Sequence, residues 1–154
     1  MRVILFRGKR IDNGEWVCSG NLIHFNEGDQ HFIANLNDKC ITTHDENDHI
    51  IAIEDTRIYK VIPETVGQYT GLTKNGNKIF EGDVFAWNDN EIDEITGKPY
   101  PDEISVVCFD DKKSAFVSKT LNGGCEGLYE TISDKNSRYI GNIHDNPELL
   151  KGGG

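Results

Sequence analysis

No apolar stretch in this chain approaches the roughly 20 residues that a membrane-spanning helix needs. No stretch keeps the 3.6-residue period of a long amphipathic helix either, which argues against a helical bundle. Methionine occurs once against 16 glycines, a balance that suits a turn-rich β protein. The four cysteines, Cys18, Cys40, Cys108 and Cys125, are far apart and form no C-x-x-C pair. Their even count permits two disulfides, but the start, Met1 to Phe6, runs straight into charge instead of a secretory signal. The expectation is therefore a reducing compartment, four free thiols and a buried Cys108. Basic charge is also short: 16 Lys and Arg against 26 Asp and Glu leave a net charge of −10. Such a surface repels phosphate and makes duplex DNA an unfavourable partner, with a local exception at Arg2, Arg7, Lys9 and Arg10. Solubility is the ordinary reading of the acidity; a nucleic-acid mimic is the sharper one.

What is present points to short strands. Seven Phe, five Tyr and two Trp within a 36% hydrophobic composition can anchor one ordinary core or two small ones. Val3–Phe6 and Trp16–Cys18 flank Asp12-Asn13-Gly14, a strong hairpin signal because Asn-Gly tolerates the positive φ that tight turns require. Asn21–Ile23 follows, and Gly28-Asp29 turns the chain into His31–Ala34. After the polar, acidic loop Asn35–Asp48, with at most one short strand at Cys40–Thr42, the β-branched runs Ile50–Ile53 and Ile58–Ile62 have strand length. Pro63 marks a boundary. Beyond it, Glu64–Leu72 and Lys78–Trp87 surround a second Asn-Gly at Asn75-Gly76, and Gly82-Asp83 suits entry into a strand of a small barrel. Ile104–Phe109 and Ala115–Val117 predict one hairpin, and Leu128–Ile132 and Arg138–Ile143 another. Asn146-Pro147 starts a helical turn that would dock Leu149 and Leu150.

Residues 88–103 read differently, with six acids against Lys98 alone and with Gly97, Pro99 and Pro101, a composition that opposes regular pairing over most of the segment. We expect a mobile loop that forms part of a partner-facing surface.

Four constellations compete with plainer readings. His44, Asp45, Glu46, Asp48 and His49 crowd together, with His24 and His31 upstream, and imidazole plus carboxylate suits zinc or manganese. The spacing puts the crowd on an acidic loop rather than a rigid element, so a solvated loop is preferred. Glu64, Glu81 and Asp83 offer carboxylates for acid–base or magnesium chemistry, but Glu81-Gly82-Asp83 is first of all turn chemistry. Cys18 or Cys108 with a distant histidine would make a nucleophile and base, yet a cysteine in an apolar strand is ordinarily packing. Tyr69, Phe80, Trp87 and Tyr100 offer an aromatic surface for a peptide or a base, but core is their usual place in a small β protein. The segment 88–103 lacks EF-hand spacing, and Gly71 and Gly76 lead into no helix that could hold a phosphate. No catalytic, cofactor-binding or metal-ligating residue is therefore assigned.

Three blocks resemble the YopX family of phage and prophage proteins: Phe6–Val17, then Pro63–Leu72 continuing through Asn75-Gly76 to Ile79–Val84, and finally Tyr139–Leu150. Residues 26–49 and 88–103 lie outside the pattern, and Cys18-Ser19-Gly20 departs from the aromatic and glycine that follow the first block in the family. The resemblance implies a β-rich fold and a phage or prophage gene, hence the cytoplasm of a bacterial host, and it carries no catalytic residue set. The expected fold is mainly β, β-rich α+β at most. It comprises an N-terminal β module over 1–63, an SH3-like small barrel over 64–150 and a flexible tail over 151–154. The expected function is non-enzymatic binding of a protein partner, without cofactor or membrane, and with homo-oligomerisation left open. The alternatives are a host-defence antagonist, as acidic nucleic-acid mimic or nucleotide sponge, and a metal-dependent hydrolase. One-sided acidity favours the mimic, a deep basic pocket the sponge, and converging His and Asp the hydrolase.

Overall fold

The computed structural model describes residues 3–26, 28–35, 41–44, 50–54 and 57–151, with side chains described for all of these except residues 35, 41–44 and 50–54. Fourteen strands, one six-residue α-helix and two 3-10 turns make up the regular structure among these residues, so the fold is mainly β. The chain divides into two compact units, Met1–Gln68 and Tyr69–Gly154. Pro63, where the sequence suggests a boundary, opens the 3-10 turn Pro63–Thr65 within the first unit.

In the N-terminal unit β1 (Phe6–Lys9) and β2 (Trp16–Ser19) form the predicted hairpin, pairing Phe6 with Ser19 and Lys9 with Trp16. The strand begins at Phe6 rather than Val3, leaving Val3 and Ile4 exposed. A second sheet runs β3 (Asn21–Phe25), β4 (Gln30–Asn35) and β7 (Arg57–Val61), with β4 in the middle. β5 (Ile41–His44) and β6 (Ile50–Glu54) pair separately. Val17, Ile33 and Val61 form the core, lined by Phe6, Leu22, Tyr59 and Val66.

Gly8 is needed where β1 crosses this core, because a Cβ there would lie 3.1 Å from Val61 Cβ and Cγ2. The 3-10 turn is tied to β1 by a polar relay: the Lys9 amide donates to Thr65 Oγ1 (2.8 Å), whose hydroxyl donates to the Ile62 carbonyl (2.7 Å). The basic cluster is largely engaged. Arg7 and Lys9 lie over the Trp16 ring, while Arg10 lies over Tyr59 and pairs with Asp12 and Glu15; Arg2 lies outside the described residues.

In the C-terminal unit β8 (Gly67–Lys74, its first two residues belonging to the N-terminal unit) turns at Asn75-Gly76 into β9 (Asn77–Phe80). Both turn residues have positive φ, 52° and 82°, as the Asn-Gly signal predicts. A five-stranded antiparallel sheet follows, ordered β13 (Cys125–Gly127), β12 (Ala115–Thr120), β11 (Glu103–Asp110), β10 (Asp83–Trp87) and β14 (Ser137–Asn142). Ile79, Phe85, Val107 and Leu128 form its core.

Two expectations fail in this unit. Leu128–Ile132 is not a strand: Leu128–Ser133 is the helix α1, and β14 pairs with β10 instead. A short run with β-branched and aromatic residues is ambiguous between the two periods; here Leu128 and Thr131, three apart, are buried and Ile132 packs on the core. The C-terminal turn Pro147–Lys151 half-buries Leu149 but leaves Leu150 exposed, so it docks one leucine rather than two. No helix among the described residues is long and apolar enough to cross a membrane.

Candidate functional site

Period-2 alternation places Glu103, Ser105 and Val107 on one face of β11. The inner part of that face is core, where Val107 packs with Phe85 and Leu128. Towards the start of the strand the same face becomes polar: Ser118 donates to Ser105 (2.7 Å), both buried, and beyond them stand Thr120, Glu103 and its cross-strand partner Trp87. The helix α1 supplies the opposite wall. The result is a cleft of about 230 Å³ lined by Trp87, Glu103, Ser105, Thr120, Glu126, Glu130, Thr131 and Asp134.

Four of these eight residues are acidic and none is basic. Glu103, Glu126 and Glu130 are exposed and have no ion-pair partner among the described residues. Asp134 is anchored. Its carboxylate accepts hydrogen bonds from the Asn136 amide (2.7 Å) and the Trp87 indole N–H (2.8 Å), which hold its acid below the usual carboxylate range. Lys74 Nζ donates to the Ile132 and Asp134 carbonyls, at 2.7 and 3.0 Å, fastening the end of α1 to β8 and satisfying carbonyls that a helix terminus leaves open.

The segment 88–103 springs from the rim of this cleft, since Trp87 and Glu103 are paired at its base. It folds back on itself through a single bridge, Ile92 to Pro99, closed by a turn in which Asp93 Oδ1 accepts the amides of Ile95 (2.8 Å) and Thr96 (2.7 Å). Those bonds lower the Asp93 acid, the one from Thr96 most. Ile95, at the tip, is 95% exposed.

The other sequence candidates fall apart or acquire structural roles. Asp83 is buried and its carboxylate accepts the Phe80 amide (2.8 Å), which is the turn chemistry expected of it. Glu81 is half-buried, and Glu64 is an exposed residue of the N-terminal unit. Cys108 is half-buried rather than buried because its side chain lies on the β11 face opposite Val107; desolvation pushes its thiol up, away from a reactive thiolate. Cys18, Cys108 and Cys125 are in no disulfide, while Cys40 lies outside the described residues. Tyr69 and Phe80 pack on each other and are buried, Trp87 lines the cleft, and Tyr100 is exposed on the acidic segment. Asp45, Glu46, Asp48, His49 and the side chain of His44 lie outside the described residues.

His24 and His31 are brought together instead. They are direct partners across the β3–β4 hairpin, with ring centroids 4.4 Å apart and His24 Nδ1 3.0 Å from His31 Nε2. Sequence reasoning placed the turn at Gly28-Asp29 but did not carry the register back to this pair.

The model of the YopX protein family matches residues 5–151. This chain belongs to the YopX family. No curated protein sequence matches it. Family membership spans both units, and so takes in both the acidic cleft and the histidine hairpin.

Proposed function

We propose that this YopX-family chain is a non-catalytic binding protein, encoded by a phage or prophage and acting in the cytoplasm of the bacterial host. Its C-terminal unit, read as an SH3-like small barrel, takes a lysine- or arginine-bearing segment of a partner protein. The observation that carries this reading is the cleft beside Trp87, with four carboxylates and no cation in its lining. Carboxylate attracts the cationic head group, and an indole face adds cation–π attraction. Glu103, Glu126 and Glu130 are exposed rather than clamped in one geometry, which suits adaptable recognition better than acid–base chemistry, where the reacting groups must be held rigidly. A nucleotide phosphate would be repelled from the same cleft.

The test is a titration of the full chain with an arginine- and lysine-rich peptide, followed by tryptophan fluorescence. Binding should weaken as salt rises, and the triple variant Glu103→Gln, Glu126→Gln, Glu130→Gln should lose at least about tenfold in affinity, or about 1.4 kcal/mol. Equal affinity of the triple variant at low salt would remove the cleft from consideration. The segment 88–103, with six acids and an exposed Ile95, favours a second reading in which the partner's basic surface is itself a nucleic-acid site. In that case duplex DNA should compete with this protein for the partner.

A further inference from the structure

We propose that the β3–β4 hairpin of the N-terminal unit is a metal site in which His24, Asp29 and His31 bind one divalent ion of the zinc class. This goes beyond the binding reading of the C-terminal cleft, and it departs from the expectation of a chain without metal ligands.

The site is built by hairpin register. Residues directly opposite on antiparallel strands project to the same face with their Cβ atoms about 5 Å apart, so the pairing of His24 with His31 brings two imidazoles together without help from any other element. That face also carries Leu22 and Ile33, and His31 is aligned on its other side with the buried Val61. The imidazole pair therefore caps the end of the N-terminal core instead of floating on a loop. Asp29 completes the set from the connection. It adopts a left-handed backbone, φ 46°, and its Oδ1 stands 3.9 Å from His24 Nδ1 and 3.8 Å from His31 Nδ1.

One ligand atom from each of the three residues can be chosen so that all lie within 4.8 Å of one another. Bonds of about 2.0 Å to a tetrahedral ion place ligand atoms roughly 3.3 Å apart, so small side-chain adjustments suffice. The donor set, two imidazoles and a carboxylate, matches zinc and its neighbours rather than calcium or magnesium, which take all-oxygen shells. His31 adds an independent sign. Its Nδ1 is buried and accepts or donates no hydrogen bond among the described residues, a costly condition for a ring nitrogen that a bound ion would relieve. His24 and Asp29 are 42% and 75% exposed, so the site is open on the solvent side and a fourth position remains for water or a partner's side chain.

The competing account is a purely structural pair, with one imidazole N–H donated to the other ring. Cobalt(II) titration of the full reduced chain, followed by visible absorption and isothermal calorimetry and repeated with zinc as competitor, separates the two. The proposal expects one equivalent bound with a tetrahedral cobalt spectrum lacking thiolate charge-transfer bands. His24→Gln and Asp29→Asn, both at exposed positions and both checked for native circular dichroism, should each weaken binding by at least about tenfold. No binding to the wild-type chain overturns the proposal. So does full retention of binding in the double variant, which would assign the ion to other histidines or to cysteines.

Discussion

In the C-terminal unit the inner strand β10 buries four consecutive residues, Asp83, Val84, Phe85 and Ala86, whereas among the described side chains of the N-terminal unit no strand buries more than two in a row, Ile33 and Ala34. Burial of successive residues means that both faces of a strand are covered; burial at alternate positions means that one is. The C-terminal unit therefore rests on apolar packing around Phe85. The N-terminal unit supplements a smaller core, Val17, Ile33 and Val61, with polar and cation–π links: the Lys9–Thr65–Ile62 relay, Arg7 over Trp16 and Arg10 over Tyr59. The difference bears on both proposals, because the unit with the deeper core carries the cleft with three exposed glutamates proposed to meet a partner, while the shallower one carries the histidine pair proposed to hold an ion.

The largest expected effect is at Phe85. Phe85→Ala should destabilise the C-terminal unit by about 3–5 kcal/mol, read from the denaturant midpoint, because neighbours covering both faces cannot collapse into the gap. Ile33→Ala in the N-terminal unit should fall towards the lower end of about 2–5 kcal/mol, since its half-exposed neighbours Leu22 and Tyr59 can move in. A larger loss at Ile33 than at Phe85 would break the comparison. Gly8→Ala should cost about 1–3 kcal/mol through overpacking against Val61, and combining it with Val61→Ala should recover part of that loss if the clash is the cause.

The smallest effect concerns pH. The Asp134 carboxyl is lowered in the folded chain by the Asn136 amide and the Trp87 indole. A group lowered on folding contributes stability that is complete above its unfolded value, about 4, and is lost as pH falls through the lower folded value. Trp87→Phe removes one of the two donors. It should move the Asp134 titration, followed by NMR, back towards the ordinary carboxylate range and remove a small part of the stability at neutral pH, a loss that shrinks as pH falls through the folded value. An unmoved titration would mean that the indole does not anchor this wall of the cleft.

Much of the architecture was legible because its signals are local. Asn75-Gly76 must take positive φ, and it does; Ile58–Ile62, Ile104–Phe109 and Ala115–Val117 carry the β-branched and aromatic character of strands, and strands form there. The error at Leu128–Ile132 came from a segment too short for periodicity to decide; packing of Leu128 and Thr131 against the sheet made it helical. The site was less legible. Trp87 stood among the named aromatics and Glu103 within the acidic segment 88–103, but nothing in the sequence joined them to Glu126, Glu130 and Asp134. The spacing of His24 and His31 about the Gly28-Asp29 turn was a usable signal, since a hairpin centred between residues 27 and 28 makes them partners.

By itself the sequence determined the mainly β class, most turns and strands, the acidic balance and the family, because backbone preference, net charge and motif spacing are properties of neighbouring residues. Only the tertiary structure decided which acids share a cleft, which histidines face each other, and that the Asp83 carboxylate is buried against the Phe80 amide. Those outcomes depend on strand register and on the face from which each side chain projects. A shift of one residue in register reverses every such assignment while leaving composition and local propensity untouched.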